Sequence, residues 1–237
     1  VTGHAPYSST PELLQLIKKR CVQQGEIYSL HLAENRDEAP LLTTGEGCFA
    51  DMLSQRQAWD GTFPVPGIDI SSVVRYLQTL GIFDNKTICV HCVHVSDSDL
   101  AIIKDTGAHV CLCPGSNEFL GVGSAPLMQM LDCGLLPALG TDSIASNPDL
   151  DMWREMSLIR QTYPDVSSEV ILGMATLGGA RAMHRDEDFG SIEEGRMARF
   201  IQIQDRRYEH AESGEQLMDL LTSCGRPHSI EWPCHEG

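Results

Sequence analysis

The sequence contains no apolar run approaching the ~20 residues of a membrane span, and its start shows no signal-peptide pattern, so a membrane partner is not expected. Basic residues are scarce: 17 Lys and Arg stand against 33 Asp and Glu, a formal charge of −16. A protein that grips a phosphate backbone needs a cationic field to displace counterions, so a nucleic-acid polymer is excluded as partner. There is no internal repeat, no low-complexity tract and no initiator Met before Val1. What is present, 42% hydrophobic and 21% charged residues over 237 positions, is the composition of a soluble globular protein of one domain or two small ones.

The nine cysteines are scattered, several of them inside apolar runs where Cys behaves as a small buried hydrophobe. That usage fits a reducing cytoplasm better than a disulfide scaffold, and the expected location is cytoplasmic. Cys89-Val-His-Cys92 has the spacing of a metal or redox pair, but it falls in the predicted strand Thr87–Val95. Residues three apart on a strand point to opposite faces, so one ion cannot easily take both thiolates.

Short β-like runs alternate with helical segments. Thr10-Pro11-Glu12 opens a helix that Gly25 stops; Ile27–His31 is a strand; 35–67 reads as helix plus an inserted loop; Ser71–Leu80 is helical. After the strand at 87–95, Ser96-Asp97 caps a helix ending at Gly107, followed by a strand at 108–113, a helix at 125–133, a strand at 136–139 and helices near 150–162 and 167–184. Apolar strands alternating with helices imply a parallel sheet covered on both faces. Gly190-Ser-Ile-Glu-Glu-Gly195 is a turn-rich link, followed by a β run at 199–204, a helix near 213–222 and a short strand Ser229–Trp232. The expected division is 1–189 and 190–237.

Polar residues gather where strands end, the edge at which parallel α/β proteins bind ligands. They are His4, then His31 with Glu34, then His91 and His94, then Asp142. An imidazole at a strand terminus can coordinate a divalent ion. Glu34, three residues beyond His31, is either a first-turn acid facing a helix dipole or a carboxyl that takes a proton from a metal-bound water and passes it on. His91 shares parity with Cys89 and Val93 and is the expected inward residue, with His94 structural. Asp142 precedes a turn and is either a helix cap or a ligand and proton acceptor. His109, His184, His210, His228 and His235 lack such placement.

Taken in order, Gly3-His4-Ala-Pro-Tyr7-Ser8, His31-Leu-Ala-Glu34, His91-Cys-Val-His94, Cys113-Pro-Gly-Ser116-Asn117 with Gly121-Val-Gly123-Ser-Ala-Pro126, and Leu139-Gly-Thr-Asp142-Ser-Ile-Ala-Ser146-Asn147 resemble the amidohydrolase superfamily, in its metal-dependent deaminase and chlorohydrolase branch. The resemblance covers roughly 1–204 and is closest to the adenosylhomocysteine, methylthioadenosine and aminofutalosine deaminases. It implies a (β/α)8 barrel of the TIM type, of which only strands 4 to 8 are present, followed by part of a small β-domain. It also implies one divalent metal, zinc or alternatively iron, held by His31 and Asp142. Glu34, His91 and Asp142 would be catalytic, with His4, Glu34 and His91 on the substrate. The implied chemistry is attack of a metal-bound hydroxide on an amidine-like ring carbon, releasing ammonia from an adenine-type nucleoside or related small aminated heterocycle.

The resemblance also calls for a His-x-His pair on strand 1, and this sequence has none. The chain is therefore expected to be the carboxyl-terminal part of a longer enzyme, with the amino-terminal half of the barrel as its partner segment; a homo-oligomer stays open. The alternatives are a chlorohydrolase or a guanine or cytosine deaminase of the same superfamily, or an incomplete, non-catalytic relative. The H-x-E with P-C-x-x-C signature of the cytidine deaminase fold is absent.

Overall fold

A computed structural model describes residues 2–59, 61, 63–68 and 70–231. Val1, Trp232 of the expected last strand, Cys234 and His235 lie outside the described residues. The chain forms two compact units, Val1–Leu112 with Leu120–Leu135, and Cys113–Phe119 with Leu136–Gly237.

The first unit opens with an extended segment that runs beside the first strand, where the His31 N–H donates to the His4 carbonyl at 2.8 Å. Residues 2–5 are not a full strand, so the expected strand end at His4 is reduced to this extended pairing. Helix α1 (Pro11–Gln24) starts where the Thr10 hydroxyl accepts from the Leu13 N–H, with proline in its first turn, and stops at Gly25, whose φ of 68° suits glycine. Strands β1 (Tyr28–Leu32), β2 (Thr87–His91) and β3 (His109–Leu112) are parallel neighbours, with Leu32 opposite His91 and Ile88 opposite His109. Their alternate buried residues, Tyr28, Leu30 and Leu32 on β1, form the floor of the core.

Between β1 and β2 lie three short helices, α2 (Glu38–Thr44), α3 (Cys48–Gln55) and α4 (Val73–Thr79), where sequence predicts a helix, an inserted loop and a second helix. Helix α5 (Asp97–Thr106) begins at a reciprocal Ser96–Asp99 capping box. The expected strand at 87–95 ends early. His91 and Cys92 take φ of 73° and 50°, outside the β region, so the ladder stops at His91 and His94 lies beyond the turn.

In the second unit, helix α6 (Pro114–Leu120) begins at Pro114; helix α7 (Leu127–Asp132) belongs to the first unit. Strand β4 (Ala138–Leu139) precedes α8 (Met152–Thr162), α9 (Ser168–Gly173) and α10 (Gly179–Ala182). The last two are continuous through a π-helical turn at Met174–Gly178, a local widening inside the helix predicted for 167–184. Helix α11 (Gly214–Ser223) packs on α8 and α9, and Arg160 pairs with Asp219 at 2.9 Å. A two-stranded antiparallel ribbon of β5 (Gln202–Gln204) and β6 (Ser229–Glu231) ends the unit. Among the described residues no helix is long and apolar enough to cross a membrane.

Candidate active site

In the first unit the carboxyl ends of β1 and β2 lie side by side, and their terminal histidines meet. The His31 and His91 ring centroids are 4.9 Å apart at a steep angle, and His4 stands 5.0 Å from His31 on the other side. The row continues outward: Tyr7 is 5.8 Å from His4, and Phe49 of α3 stacks on Tyr7 at 4.4 Å. Burial falls along it, from His91 with no exposure, through half-buried His31, to exposed His4. The His4 Nδ1 lies 2.6 Å from the Ser8 hydroxyl, which fixes the ring's orientation.

Glu34 reaches this row from the β1–α2 turn. Its carboxyl is nearly buried, and Oε1 lies 3.6 Å from His91 Nε2. One ring nitrogen of His31 and one of His91 come within 4.8 Å of each other. Two ligands of one ion with ~2 Å bonds stand ~3–4 Å apart, so a divalent cation held by His31 would have the His91 imidazole within reach of its bound water.

The turn that carries Glu34 is organised by Glu38, which sequence reasoning does not single out. Its Oε2 accepts from the Ala33 N–H at 3.0 Å, and its Oε1 accepts from the Glu34 and Asn35 N–H groups at 2.7 and 3.1 Å. Glu38 has no exposure, and burial raises its pKa to about 7 against the opposing pull of those three N–H groups.

The strand-end shift also settles the neighbouring cysteines. Cys89 is inside β2, and Cys92 sits in the left-handed turn with its thiol directed to the Cys89 carbonyl at 3.7 Å. The hydrogen bond to Cys89 and complete burial push the Cys92 thiol well above its usual pKa, so it is a poor thiolate ligand.

In the second unit Asp142 follows β4 with φ 56°. It does not cap a helix, because α8 is capped by Asp151. Instead its Oδ2 accepts from the hydroxyls of Ser116 at 2.9 Å and Ser146 at 2.6 Å, which fixes the plane of the carboxylate. A second buried carboxyl braces this loop. Glu155 accepts from the Gly115 N–H and from Asn147 Nδ2, both at 2.7 Å, and Asn147 donates also to the Thr141 carbonyl at 2.8 Å. Burial raises the Glu155 pKa, opposed by these donors. A Cβ at 115 would lie 2.4 Å from Glu155 Oε1, so a larger residue there would have to displace that carboxyl.

The remaining histidines stand elsewhere. His109 opens β3 at the end opposite His91, and His184 and His210 follow α10 and the turn at Arg206–Tyr208. The His228 N–H donates to Asp205.

Comparison with known proteins agrees with the motif order. The Amidohydrolase family profile matches residues 1–216. The chain is 34% identical to the 5-methylthioadenosine/S-adenosylhomocysteine deaminase of Pelotomaculum thermopropionicum over 211 residues, 86% of this chain and 43% of that protein. It is 30% identical over 196 residues to the aminodeoxyfutalosine deaminase of Deinococcus radiodurans, 77% of this chain and 44% of that protein. The crystal structure of an adenosine deaminase from Xanthomonas campestris with bound zinc matches with a TM-score of 0.74 and 25% identity over 93% of this chain and 46% of that one. The chain thus spans less than half the length of these relatives. The α/β architecture expected, part of a (β/α)8 barrel, is borne out.

Proposed function

This chain belongs to the amidohydrolase family, and on that premise we propose that it carries part of the active site of a metal-dependent hydrolytic deaminase acting on an adenine-type nucleoside or a related aminated heterocycle. The observation that carries the reading is the His4–His31–His91 row with Glu34 3.6 Å from His91, at the carboxyl ends of parallel strands.

In this reading His31 and Asp142 hold one divalent ion, with zinc favoured by the likeness to a zinc-bound relative and iron the alternative, since imidazole and carboxylate suit both. Such an ion supplies Lewis acidity that makes water a competent nucleophile near neutral pH. Asp142, its Oδ2 held by two serine hydroxyls, would both hold the ion and accept the proton that the attacking water gives up. His91, buried and beside Glu34, orients and polarises the attacking water. Glu34, entering protonated, gives its proton to the ring nitrogen as water adds, then takes the remaining proton of the added hydroxyl and delivers it to the departing amine, so that ammonia leaves neutral; the proton taken up by Asp142 reloads Glu34. His4, the exposed member of the row, touches the substrate, and the Tyr7–Phe49 pair beyond it offers an aromatic wall to a flat heterocycle.

The same reading gives the chain a small-molecule substrate and a partner segment carrying the remaining barrel strands, in keeping with the 43% of the first relative's length that it matches. A reducing, cytoplasmic setting belongs to the proposal too; the buried free thiols of Cys89 and Cys92 support it. The test is ammonia release by the intact gene product from adenine nucleosides, guanine and cytosine, with chloride release from a chlorinated triazine as the competing chemistry. We expect ammonia from an adenine nucleoside, lost on chelation and restored by zinc. Chloride release alone, or no turnover by metal-loaded protein, contradicts the reading.

A further inference from the structure

We propose that Glu38 is a positioning residue: its carboxyl sets the backbone of the β1–α2 turn and thereby holds the Glu34 carboxyl beside His91. The inference rests on the reading of Glu34 as the proton carrier and adds the residue through which the fold keeps that carrier in place.

Three successive N–H groups, of Ala33, Glu34 and Asn35, converge on one carboxyl that has no solvent exposure. Successive amides pointing at one centre form an anion-binding nest, normally filled by a ligand; here the chain fills it with its own side chain. Ala33 takes φ 48°, a conformation that residues with a Cβ resist, so something must hold the turn. The bond from its N–H to Glu38 Oε2 does so, and the two bonds to Oε1 then fix the next two peptide planes.

Downstream, the Asp37 N–H donates to Asn35 Oδ1 at 3.0 Å, which leads the chain directly into α2, whose first residue is Glu38. The carboxyl therefore ties the strand end to the helix start. Nothing in this arrangement grips the Glu34 side chain itself through Glu38.

The geometry also says which substitutions can replace Glu38. Aspartate is one methylene too short to reach all three N–H groups. Glutamine keeps the length but replaces one acceptor oxygen with an NH2, which then faces an N–H donor.

Two measurements on the intact gene product test the proposal. In steady-state ammonia release, Glu38→Gln should lower kcat about 30-fold, the scale of a buried donor losing its acceptor, with KM changed less than about threefold and metal content unchanged. Added to Glu34→Gln, it should cost less than about threefold more, because a residue that acts through Glu34 has nothing left to position. A folded Glu38→Gln protein with wild-type kcat, or a loss that multiplies in full with that of Glu34→Gln, overturns the proposal.

Amide hydrogen exchange supplies the arm that needs no activity. The Ala33, Glu34 and Asn35 amides of the unmodified protein should exchange at least about 100-fold more slowly than an unstructured chain, and Glu38→Gln should accelerate them about tenfold or more. Unprotected amides at these three positions overturn the proposal even if the variant does not fold. Absence of deaminase activity with all three protected overturns the functional reading and leaves the turn's bracing standing.

Discussion

In the first unit the carboxyl of Glu34 is steered through its backbone: three N–H groups around it are tied to Glu38, while its Oε1 lies 3.6 Å from His91 Nε2. In the second unit Asp142 is held through its side chain, with two serine hydroxyls on a single oxygen, and the loop around it is tied down by Glu155 through Asn147 and Gly115. The difference would suit the two duties proposed for these groups. A carboxyl that collects a proton at one atom and releases it at another must turn about its χ angles; one that holds a metal must not. In both units a second, buried carboxyl supplies the rigidity, and in both its pKa is raised by burial.

The comparison breaks most sharply at Asp142. Asp142→Ala should lower ammonia release by the intact gene product at least ~100-fold and reduce bound metal with it, as expected of a group that handles both metal and proton. Metal analysis of the purified variant checks this, and a full metal complement would deny Asp142 its role as ligand.

The next effect comes from Glu38 and is read in stability against pH. Its folded-state pKa of about 7 lies above the ordinary 4.5, so the folded protein keeps this proton to higher pH than the unfolded chain does. The resulting stabilisation is complete below pH 4.5 and is lost as pH rises through 7, a change of about 3 kcal/mol. Denaturant titrations between pH 5 and 8 should show this decline, and Glu38→Gln should flatten it. A variant with the same slope as the parent would place the titration elsewhere.

Glu155→Ala should destabilise the protein by about 2 kcal/mol, because the Gly115 N–H and the Asn147 amide lose a buried acceptor. Equilibrium unfolding checks this. Smaller still, Ser116→Ala and Ser146→Ala should each weaken metal binding about tenfold by freeing the Asp142 carboxylate to rotate, measured by competition with a chelating dye.

The gathering of polar groups at the strand ends is legible in the sequence because it is local. His31 and Glu34 are three residues apart on either side of a strand terminus, and His91 closes an apolar run at the neighbouring one. The end of β2 is not legible. Val93 and Val95 continue the apolar pattern past His91, and only the left-handed backbone at His91 and Cys92 shows that the strand has already stopped. Helix α6 is hidden for a similar reason: Pro114-Gly-Ser-Asn117 is turn chemistry by composition, and the helix is secured from outside by the bond of Gly115 to Glu155.

Glu38 and Glu155 are hidden most completely. Each is an acid in the first turn of a helix, a position that sequence assigns to solvent and the helix dipole. Their burial depends on which loops the tertiary fold brings over them. The H-x-x-E-x-x-x-E spacing from His31 through Glu34 to Glu38 is the one available signal, and it acquires meaning only once the turn is seen to fold back.

The most direct test of the account is metal content and ammonia release measured on one preparation of the Glu34→Gln protein, beside the parent. If Glu34 carries the proton without binding the metal, the variant keeps the parent's metal content and loses at least ~100-fold in turnover. Turnover near that of the parent, or loss of the metal together with activity, would contradict the account.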